Sequence, residues 1–387
     1  MNETAADVAI VGAGVIGSAI AFYLTRRGIR PLVLEKEDPA AGSSGACDGL
    51  VFLQSKKPGL HLELAIESRR RFEELAEALG PEIEFRPSGG LCLIENEAEL
   101  AALRRSIAAQ RAGGLSVELI AGEEVRRLEP LVSERILAAG FSPLDAQVNP
   151  YALTFALLRA ARAGGARLLG GEPVVGIETA AGRVRAVRTP RRRIAVPIVV
   201  NAAGAHAPEI GRLAGVEVPI TPRRGQLLVT AARPPLLRHG LISARYIAAK
   251  FNPELARSGE MGFSLEQAES GNLLIGSTRE FAGYDRRTSF EGIRAVARRV
   301  LPVFPALASI PVIRTFAGLR PYTPDGLPIL GPVASVEGFL MAAGHEGDGI
   351  ALSAITGEML AAHIAGDSPR FPLEPFRLER FSTAEAA

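Results

Sequence analysis

Blocks of apolar residues at two different spacings alternate along the chain and predict a mixed α/β protein. Near the start, the short apolar runs at 7–11 and 31–35 have the length of strands and enclose an apolar stretch of helical length. Later segments place apolar residues at helical spacing and end at glycine or proline. The helices predicted in this way cover residues 60–79, 97–110, 150–163, 288–301 and a last segment that ends at His363.

The strand-like segments are of two kinds. Residues 198–206 begin as a largely apolar run, which is typical of a central parallel strand covered on both faces. Another group alternates between apolar and polar positions with turn residues between its members, as antiparallel strands do; its members are residues 226–230, 241–248, 262–265 and 273–276. The remaining predictions are a strand at 85–94, an irregular crossing at 140–150, a small meander at 166–169, 174–178 and 183–188, and a strand that starts at Phe339.

The order of these segments predicts two interleaved domains of an α/β (α+β) protein. A doubly wound, Rossmann-type nucleotide-binding domain would comprise residues 1–88, 142–218 and 318–387, and an interleaved antiparallel-sheet substrate domain would comprise residues 89–141 and 219–317. Ligands of doubly wound sheets bind at the carboxyl ends of the strands. Gly14, Gly204 and Gly344 each follow a predicted strand and mark the expected binding edge.

The turn after the first strand, Gly12-Ala-Gly-Val-Ile-Gly17, has the spacing of a phosphate-binding motif. Gly12 permits a tight turn, Gly14 lets the backbone approach a pyrophosphate, and Gly17 lets the helix pack against the strand. The N–H groups at the start of the helix add a partial positive charge. Glu35, at the end of the second strand, is placed to accept hydrogen bonds from an adenosine ribose. This stretch therefore predicts a dinucleotide site, equally suited to NAD.

Composition and charge mainly exclude functions. The chain has 387 residues, 47% of them hydrophobic, and a formal net charge of +2, which gives no reason to expect nucleic acid or an anionic membrane as a partner. The arginine runs at 69–71 and 191–193 are expected to be solvated surface. Cys47 and Cys92 are the two cysteines and form no metal-binding pattern, so no metal is expected. With no apolar run long enough to span a bilayer and a start that enters the first strand directly, we expect a soluble cytoplasmic protein.

Three separated stretches resemble one family, the flavin-dependent amine and amino-acid oxidoreductases of the D-amino-acid oxidase, glycine oxidase and sarcosine oxidase type. They are the glycine motif with Glu35 and the loop 43–46, residues 199–205, and Gly318-Leu-Arg-Pro321 with the glycine-rich segments that follow it. Within the family, residues 43–50 and 344–350 are most similar to β subunits of opine (octopine/nopaline) oxidases, hydrogen cyanide synthase, and hydroxyproline or proline dehydrogenases.

The resemblance implies non-covalent FAD, with room for a second flavin at a subunit interface. The matching family positions place the pyrophosphate, the adenosine and the flavin along three groups of residues. These are Gly12, Ala13, Gly14, Val15, Ile16 and Gly17; then Glu35, Lys36 and Val174; then Ser43, Ser44, Gly45, Ala46, Ala203, Gly204, Gly344, His345, Gly347, Asp348, Gly349 and Ile350.

The resemblance also implies hydride transfer from the α-carbon of an amino or imino acid to the flavin, followed by hydrolysis of the imine. Arg320 matches a carboxylate-binding arginine of the family, and a guanidinium can hold a carboxylate with two parallel hydrogen bonds. Tyr246 and His345 are the other candidate catalytic residues. No strong base is evident. The chain would be the β subunit of a multi-subunit dehydrogenase or oxidase, with α and γ subunits that carry electron-transfer cofactors.

Alternatives stay open at several positions. Arg320 could form a surface salt bridge, Tyr246 could be a packed aromatic, and His345 could make a structural hydrogen bond. Cys47 is expected to be a small buried residue rather than a flavin linkage. Lys56 and Lys57 could be solvated, or could form an electropositive wall for the substrate, for a second flavin phosphate or for oxygen activation.

Two other functions also fit the sequence. One is an FAD-dependent 2-hydroxy-acid dehydrogenase of the same superfamily. The other is a flavin-binding folding or tRNA-modification module that has no oxidase chemistry of its own.

Overall fold

The computed structural model describes residues 2–251 and 262–381. The strands, in chain order, are β1 (Asn2–Ala5), β2 (Val8–Val11), β3 (Leu32–Leu34), β4 (Leu50–Val51), β5 (Gly90–Ile94), β6 (Glu118–Ala121), β7 (Ala138–Ser142), β8 (Ala146–Gln147), β9 (Arg167–Leu169), β10 (Gly176–Ala180), β11 (Arg183–Arg188), β12 (Arg192–Ala195), β13 (Ile198–Asn201), β14 (Thr221–Thr230), β15 (Gly240–Ser243), β16 (Ser264–Gln267), β17 (Leu273–Gly276), β18 (Val312–Tyr322), β19 (Ile329–Pro332) and β20 (Phe339–Ala343). The α-helices are α1 (Val15–Thr25), α2 (Leu60–Leu79), α3 (Glu97–Ala112), α4 (Gly122–Leu128), α5 (Pro150–Ala163), α6 (Ala207–Leu213), α7 (Ala244–Phe251), α8 (Phe290–Val300) and α9 (Gly349–Ala365).

A six-stranded sheet forms the nucleotide-binding half, in the order β19-β20-β13-β2-β3-β9. All neighbouring pairs are parallel except β19 with β20. Strands β2 and β13 lie in the middle and are nearly fully buried, as their apolar composition predicted. Because these strands run parallel, their carboxyl ends meet at one edge.

An eight-stranded sheet forms the other half, in the order β18-β14-β17-β16-β15-β5-β7-β6. It is mostly antiparallel, with one parallel pair between β5 and β15. Its longest pairing joins β14 to β18 and sets Arg223 opposite Arg320 and Gly225 opposite Gly318. Strand β18 of the eight-stranded sheet crosses the predicted domain boundary at residue 318. We keep the predicted domain boundaries as a proposal.

Helix α1 is buried on all sides between the six-stranded sheet and helices α5 and α9. Glycine residues allow α1 to pack closely against the sheet and against α9. A side chain on Gly17 would clash with the carbonyl oxygen of Gly12, and one on Gly357 of α9 would approach the backbone of Ala19 to 2.8 Å. The strand, glycine turn and helix at the start of the chain are thus fixed in the core of the molecule.

Several sequence predictions are corrected by the tertiary structure. Residues 166–169 do not belong to the meander, because β9 pairs with β3 at the edge of the parallel sheet. The meander consists instead of β10, β11 and β12, with β1 added in parallel. Residues 244–248 continue as helix α7 rather than as strand β15. The crossing at 140–150 contains the end of β7 and the short strand β8.

The arginine run at 69–71 is less solvated than predicted, whereas the run at 191–193 is exposed or half-exposed. Arg69 is buried on α2, where its guanidinium donates to the carbonyl of Leu144 and lies 4.8 Å from the Phe85 ring. Arg192 of β12 forms an ion pair with the buried Glu172.

Among residues 2–251 and 262–381, no helix is both long enough and apolar enough to cross a membrane.

Candidate active site

A long cavity of about 420 Å³ lies at the carboxyl ends of the parallel strands. Its floor is formed where β2, β3, β13 and β20 end, and one wall is formed by β14 and β18 of the other sheet. One end is lined by Glu35, Lys36 and Val174, and the opposite end by Arg320 and Tyr246. The cavity therefore joins the residues predicted for the adenosine to those predicted for the substrate.

The glycine motif surrounds the middle of this cavity. Gly12 has a φ of +109°, and a Cβ there would approach the carbonyl oxygen of Ala202 to 2.6 Å, so the turn requires glycine. Gly14 lies just before the first residue of α1, where a helix leaves N–H groups without helical partners. Such an end favours phosphate. The N–H of Val15 already has an acceptor, since it donates to Ser44 Oγ at 3.0 Å.

Glu35 holds the loop around it in place. Its carboxylate accepts hydrogen bonds from the N–H groups of Ala13, at 2.8 Å, and Glu37, at 2.9 Å, while the residue lines the cavity. The acid therefore positions the glycine turn and lines the predicted adenosine end of the cavity. Lys36 is exposed, and Glu172, which the sequence analysis did not select, lines the same end.

The loop with residues 43–46 contacts β18 directly. Ser43 Oγ donates to the carbonyl of Leu319, and a side chain on Gly318 would clash with the carbonyl oxygen of Ala46. This contact brings the small-residue loop and the Gly318-Leu-Arg-Pro321 motif together, although they are far apart in sequence. Ser43, Ser44 and Ala46 line the cavity, whereas Gly45 packs against Tyr151 outside it.

Arg320 lies at the end of the cavity, with 13% of its side chain exposed. Its two terminal nitrogens donate to the carbonyl of Thr278 and to Ser277 Oγ. Gly225 on β14 provides the space for the guanidinium, because a side chain there would clash with it. Burial alone would lower the pKa of Arg320, but Tyr246, Glu346 and Asp48 raise it above its ordinary value. Arg320 is thus a fixed, buried cation and not a surface ion pair.

Two further arginines surround a single carboxylate behind Arg320. Glu346 accepts from Arg223 and from Arg279, the latter at 2.8 Å, and lies 4.0 Å from the Arg320 Nε. Arg223 is fully buried, and its guanidinium lies 4.7 Å from the Tyr322 ring. These three guanidinium groups and one carboxylate together carry a net positive charge, which favours an anionic group of a ligand near Arg320.

Tyr246 lines the cavity beside Arg320, at the start of α7. Its ring lies 4.5 Å from the Arg279 guanidinium, and its N–H donates to Ser243 Oγ at 3.2 Å. The tyrosine is therefore both packed against an arginine and placed at the predicted substrate end.

His345 lines the cavity, but its imidazole is used inside the protein. The Nε2 atom lies 3.0 Å from Thr356 Oγ1 of α9, and burial lowers the pKa of His345 to about 4. Gly347, Gly349 and Ile350 also line the cavity. The structure places His345 as a neutral residue that fixes this loop against α9.

Asp348 and Lys56 form a buried pair that does not line the cavity. Lys56 Nζ lies 2.8 Å from Asp348 Oδ1 and also donates to Ser55 Oγ, while His61 Nε2 lies 3.1 Å from Asp348 Oδ2. Lys56 is 3% exposed, so it is neither solvated nor part of an electropositive cavity wall. Lys57 is exposed and donates to the carbonyl of Asp325.

The remaining predicted cofactor residues support the cavity from outside or line it directly. Ala13 is fully buried, and Gly344, with a φ of +83°, packs against Thr323. Neither of them, nor Gly17, is among the lining residues. The rest of the set lines the cavity directly: Gly12, Gly14, Val15, Ile16, Ala203 and Gly204.

Cys47 and Asp48 follow the loop with residues 43–46 and line the same end as Arg320. Burial, with Asp48 and Glu266 nearby, raises the pKa of the Cys47 thiol well above its ordinary value. The thiol therefore stays protonated, which argues against a thiolate that attacks the cofactor.

Within the residues that the structure describes, no group of histidine, cysteine and acidic side chains could hold a metal ion.

The residues of the cavity fit FAD. The long shape runs from an acid at one end to a buried cation at the other, and glycine and alanine form its middle. Sequence reasoning missed Asp48, Glu172, Arg223, Arg279 and Glu346. The stretches 43–50 and 344–350, which contain Asp48 and Glu346, carried the only signal. Arg223 lies on β14 and Arg279 follows β17, and no local pattern reveals how these strands pair.

Comparison with known proteins agrees with this geometry. Residues 7–363 match the family model described as FAD dependent oxidoreductase. Hydrogen cyanide synthase subunit HcnC of Pseudomonas aeruginosa is 31% identical over 429 residues, covering 100% of this chain and 99% of the relative. Glycine oxidase of Geobacillus kaustophilus is 33% identical over 385 residues, with 97% of each chain covered.

Comparison with solved structures agrees with the family match. The crystal structure of L-proline dehydrogenase from P. horikoshii has a TM-score of 0.91 at 27% identity and covers 99% of both chains. That of glycine oxidase from Geobacillus kaustophilus has a TM-score of 0.89 at 30% identity, over 97% of this chain and 99% of that one.

Proposed function

The chain belongs to the family of FAD dependent oxidoreductases, and from this premise we propose that it oxidises the C–N bond of an amino acid, an imino acid or an N-substituted amino acid. Its relatives include a glycine oxidase and, at 27% identity, the mitochondrial dimethylglycine dehydrogenase of Mus musculus. They support an FAD-dependent enzyme that acts on CH–NH donors, and the residues at the cavity fit that chemistry.

The observation that carries the proposal is Arg320, a buried cation at the end of the cofactor cavity. A guanidinium is permanently charged and can bind a carboxylate with two parallel hydrogen bonds. Arg223 and Arg279 behind it increase the positive charge, and Glu346 fixes their positions. A substrate carboxylate held at Arg320 would direct the α-carbon towards the middle of the cavity.

FAD bound in this cavity would supply the two-electron oxidising chemistry. The residues of the chain position both ligands. The glycine motif and Glu35 would hold the pyrophosphate and the ribose. The start of α9 at Gly349 and Ile350 would present backbone N–H groups to the ring. Arg320 orients the substrate, and the contact between Ser43 and Leu319 keeps the loop and β18 closed around it.

Removal of Arg320 tests the substrate assignment. For Arg320→Ala we expect KM for the amino acid to rise about 100-fold, since a lost charged pair costs about 3 kcal/mol, while FAD stays bound. Steady-state kinetics and the flavin absorbance of the purified variant measure both effects. Arg314→Ala on the exposed part of the same strand is the matched control and should leave KM unchanged. An unchanged KM in Arg320→Ala would remove Arg320 from the substrate site.

We further propose a substrate of the glycine, sarcosine, proline, hydroxyproline or opine type and a role as one subunit of a larger enzyme. The hydrogen cyanide synthase subunit supports the second point, as its name describes it as a subunit. Size-exclusion chromatography of the chain alone and together with the proteins encoded next to it tests this. Co-elution and transfer of electrons to the partner would support the role, and a lone chain that is fully active with oxygen would contradict it.

A further inference from the structure

Asp48 is an acidic residue at the predicted substrate end that the proposed function does not yet use. It lines the cavity together with Arg320 and Tyr246. One of its carboxylate oxygens accepts a hydrogen bond from Ser264 Oγ of β16 at 2.9 Å. Among residues 2–251 and 262–381, Asp48 has no other hydrogen bond and no ion pair. Its second oxygen is therefore available to a ligand.

Asp48 and Arg320 carry opposite charges but do not form a salt bridge in the described part of the chain. They are close enough that Asp48 helps to raise the pKa of Arg320, against the effect of burial. Two opposite charges that face one cavity without touching each other match a zwitterion. An amino acid presents a carboxylate and an ammonium group one carbon atom apart.

The surrounding charges leave Asp48 as the anionic group at this position. Glu266 of β16 is buried next to it, and burial together with Asp48 raises the pKa of Glu266 to about 8. Glu266 does not line the cavity and is therefore not placed to bind an ammonium group there. Glu346 is already paired with Arg223 and Arg279.

The other titratable groups around Asp48 change this arrangement little. The Cys47 thiol is held protonated. Arg86 and Glu84 lie beyond Glu266 and act on it with opposite signs. Tyr246 completes the wall from α7.

We propose that Asp48 binds the ammonium group of the substrate and takes its proton, while Arg320 binds the carboxylate. This inference rests on the proposed function and adds to it a proton acceptor for the amine. In the step, one N–H bond of the ammonium breaks and one O–H bond forms on Asp48. No electrons are transferred in this step, and the amine nitrogen regains its lone pair.

The proton transfer makes the lone pair of the nitrogen available for the oxidation. An amine with a pKa of roughly 8 to 10 is protonated at neutral pH, and a protonated nitrogen has no lone pair to support removal of the α-hydrogen. A carboxylate within hydrogen-bonding reach allows the enzyme to bind the abundant zwitterion and to deprotonate it in place. Ser264 would keep Asp48 oriented towards the cavity.

Ligand binding to Asp48→Asn provides the first test. Titration of the FAD-loaded protein, followed by calorimetry and by the flavin absorbance, compares two ligands that are not turned over. One is a zwitterionic, non-oxidisable amino acid, and the other is a simple carboxylate without an amine, such as acetate. We expect Asp48→Asn to bind the zwitterion about 10- to 100-fold more weakly, the range for a lost hydrogen bond between charged groups. Acetate should bind equally well or more tightly, because a repelling charge is removed.

The pH profile provides the second test. In the wild type, kcat/KM should stay high below the pKa of the substrate amine. In Asp48→Asn, kcat/KM should fall about tenfold per pH unit below that pKa, because the variant must select the scarce neutral amine. The deficit should disappear at high pH. A purely structural defect would lower kcat/KM equally at all pH values and would weaken both ligands.

The control and the outcomes separate this inference from the proposed function. Glu269→Gln removes one negative charge at an exposed position after β16 and should behave as the wild type. If acetate binds in an Arg320-dependent way but Asp48→Asn binds the zwitterion normally, the role of Asp48 is wrong and the proposed function stands. If neither ligand binds the wild type, the proposed substrate site itself is wrong.

Discussion

At the scale of single residues, the site depends on how Glu346 organises three arginines. Buried guanidinium groups are costly unless they are paired, and Glu346 pairs with Arg223 and Arg279 while it approaches Arg320. Its φ of +49° is unusual for a residue with a side chain and turns the carboxylate towards β14 and β18. The same carboxylate thus compensates the charge behind the site and leaves Arg320 available to a substrate.

His345 predicts a specific dependence of stability on pH. Burial lowers its pKa from 6.5 to about 4, so below pH 6.5 the unfolded chain binds a proton that the folded protein does not. This contribution to the free energy of unfolding is present above pH 6.5 and is lost as the pH falls to 4, by about 3 kcal/mol. Urea unfolding of the wild type and His345→Asn between these pH values measures it.

The variant should lose most of that pH dependence. His206→Gln, at a partly exposed histidine, should retain it. Equal slopes for wild type and His345→Asn would show that the imidazole is not held neutral by burial.

The site residues predicted from the sequence are those that belong to a local motif. Gly12, Gly14 and Glu35 belong to a motif of strand, turn and helix, and Arg320 to a short run that resembles a known family. Asp48 lies within the stretch 43–50 that resembles the family, but one acid in a loop of small residues has no pattern that indicates a role of its own. Its role depends on Ser264 and Arg320, which reach it only through the tertiary structure.

At the scale of elements, helix α1 connects the cofactor cavity to the core. It is buried along its whole length, so its position is set by packing and not by the ligand. Its first turn faces the cavity, and its last turn ends near Gly28, which has a φ of +78° and open space around it. A substitution at the start of α1 should therefore affect ligand binding, whereas one after its end should affect only the stability of the fold.

Gly14→Ala and Gly28→Ala form a matched pair for this separation. Gly14 has a φ of −73°, which alanine adopts freely, but a Cβ would lie 3.1 Å from Ser44 Oγ at the cavity. We expect Gly14→Ala to raise the Kd for FAD at least about tenfold with little loss of stability. Gly28→Ala should cost about 1 kcal/mol of stability through backbone strain and leave the Kd unchanged. Fluorescence titration with FAD and thermal unfolding measure both, and the reverse pattern would contradict this account of α1.

The predicted limits of helices and strands show which features the spacing of apolar residues can predict and which it cannot. Helix α2 was predicted with its exact limits, because its apolar stripe is regular and glycine ends it. The strand predicted at 241–248 becomes helix α7 after Ser243, since a short apolar run fits both structures. Strand β9 was recognised but assigned to the wrong sheet, because sequence spacing does not identify the partner of a strand.

At the scale of the whole molecule, residues 280–287 connect the two halves across the cavity. Tyr284 stacks on His206 with ring centres 4.8 Å apart and donates to the carbonyl of Ala205. Arg286 lines the cavity and donates to the carbonyl of Ala41 at 2.9 Å. This connecting segment starts in the antiparallel half and contacts two loops of the nucleotide-binding half.

Weakening this segment should speed the release of FAD. We expect Tyr284→Ala with Arg286→Ala to raise the FAD dissociation rate about 30-fold, since two hydrogen bonds of about 1 kcal/mol each are lost. Stopped-flow recovery of flavin fluorescence measures the rate. Arg287→Ala is the control, because the Arg287 side chain is 88% exposed and bonds to Asp285 within the same segment. An unchanged rate in the double variant would show that the segment does not retain the cofactor.

We propose that the cavity holds FAD and a carboxylate-bearing amine in contact. Anaerobic mixing of the purified, FAD-loaded protein with a panel of amino, imino and N-substituted amino acids tests it most directly. We predict loss of the visible flavin absorbance with at least one of these amines, none with the matching 2-hydroxy acids, and one imine-derived product per flavin reduced. Reduction by hydroxy acids and not by amines, or a protein that binds NAD and no flavin, would contradict the account.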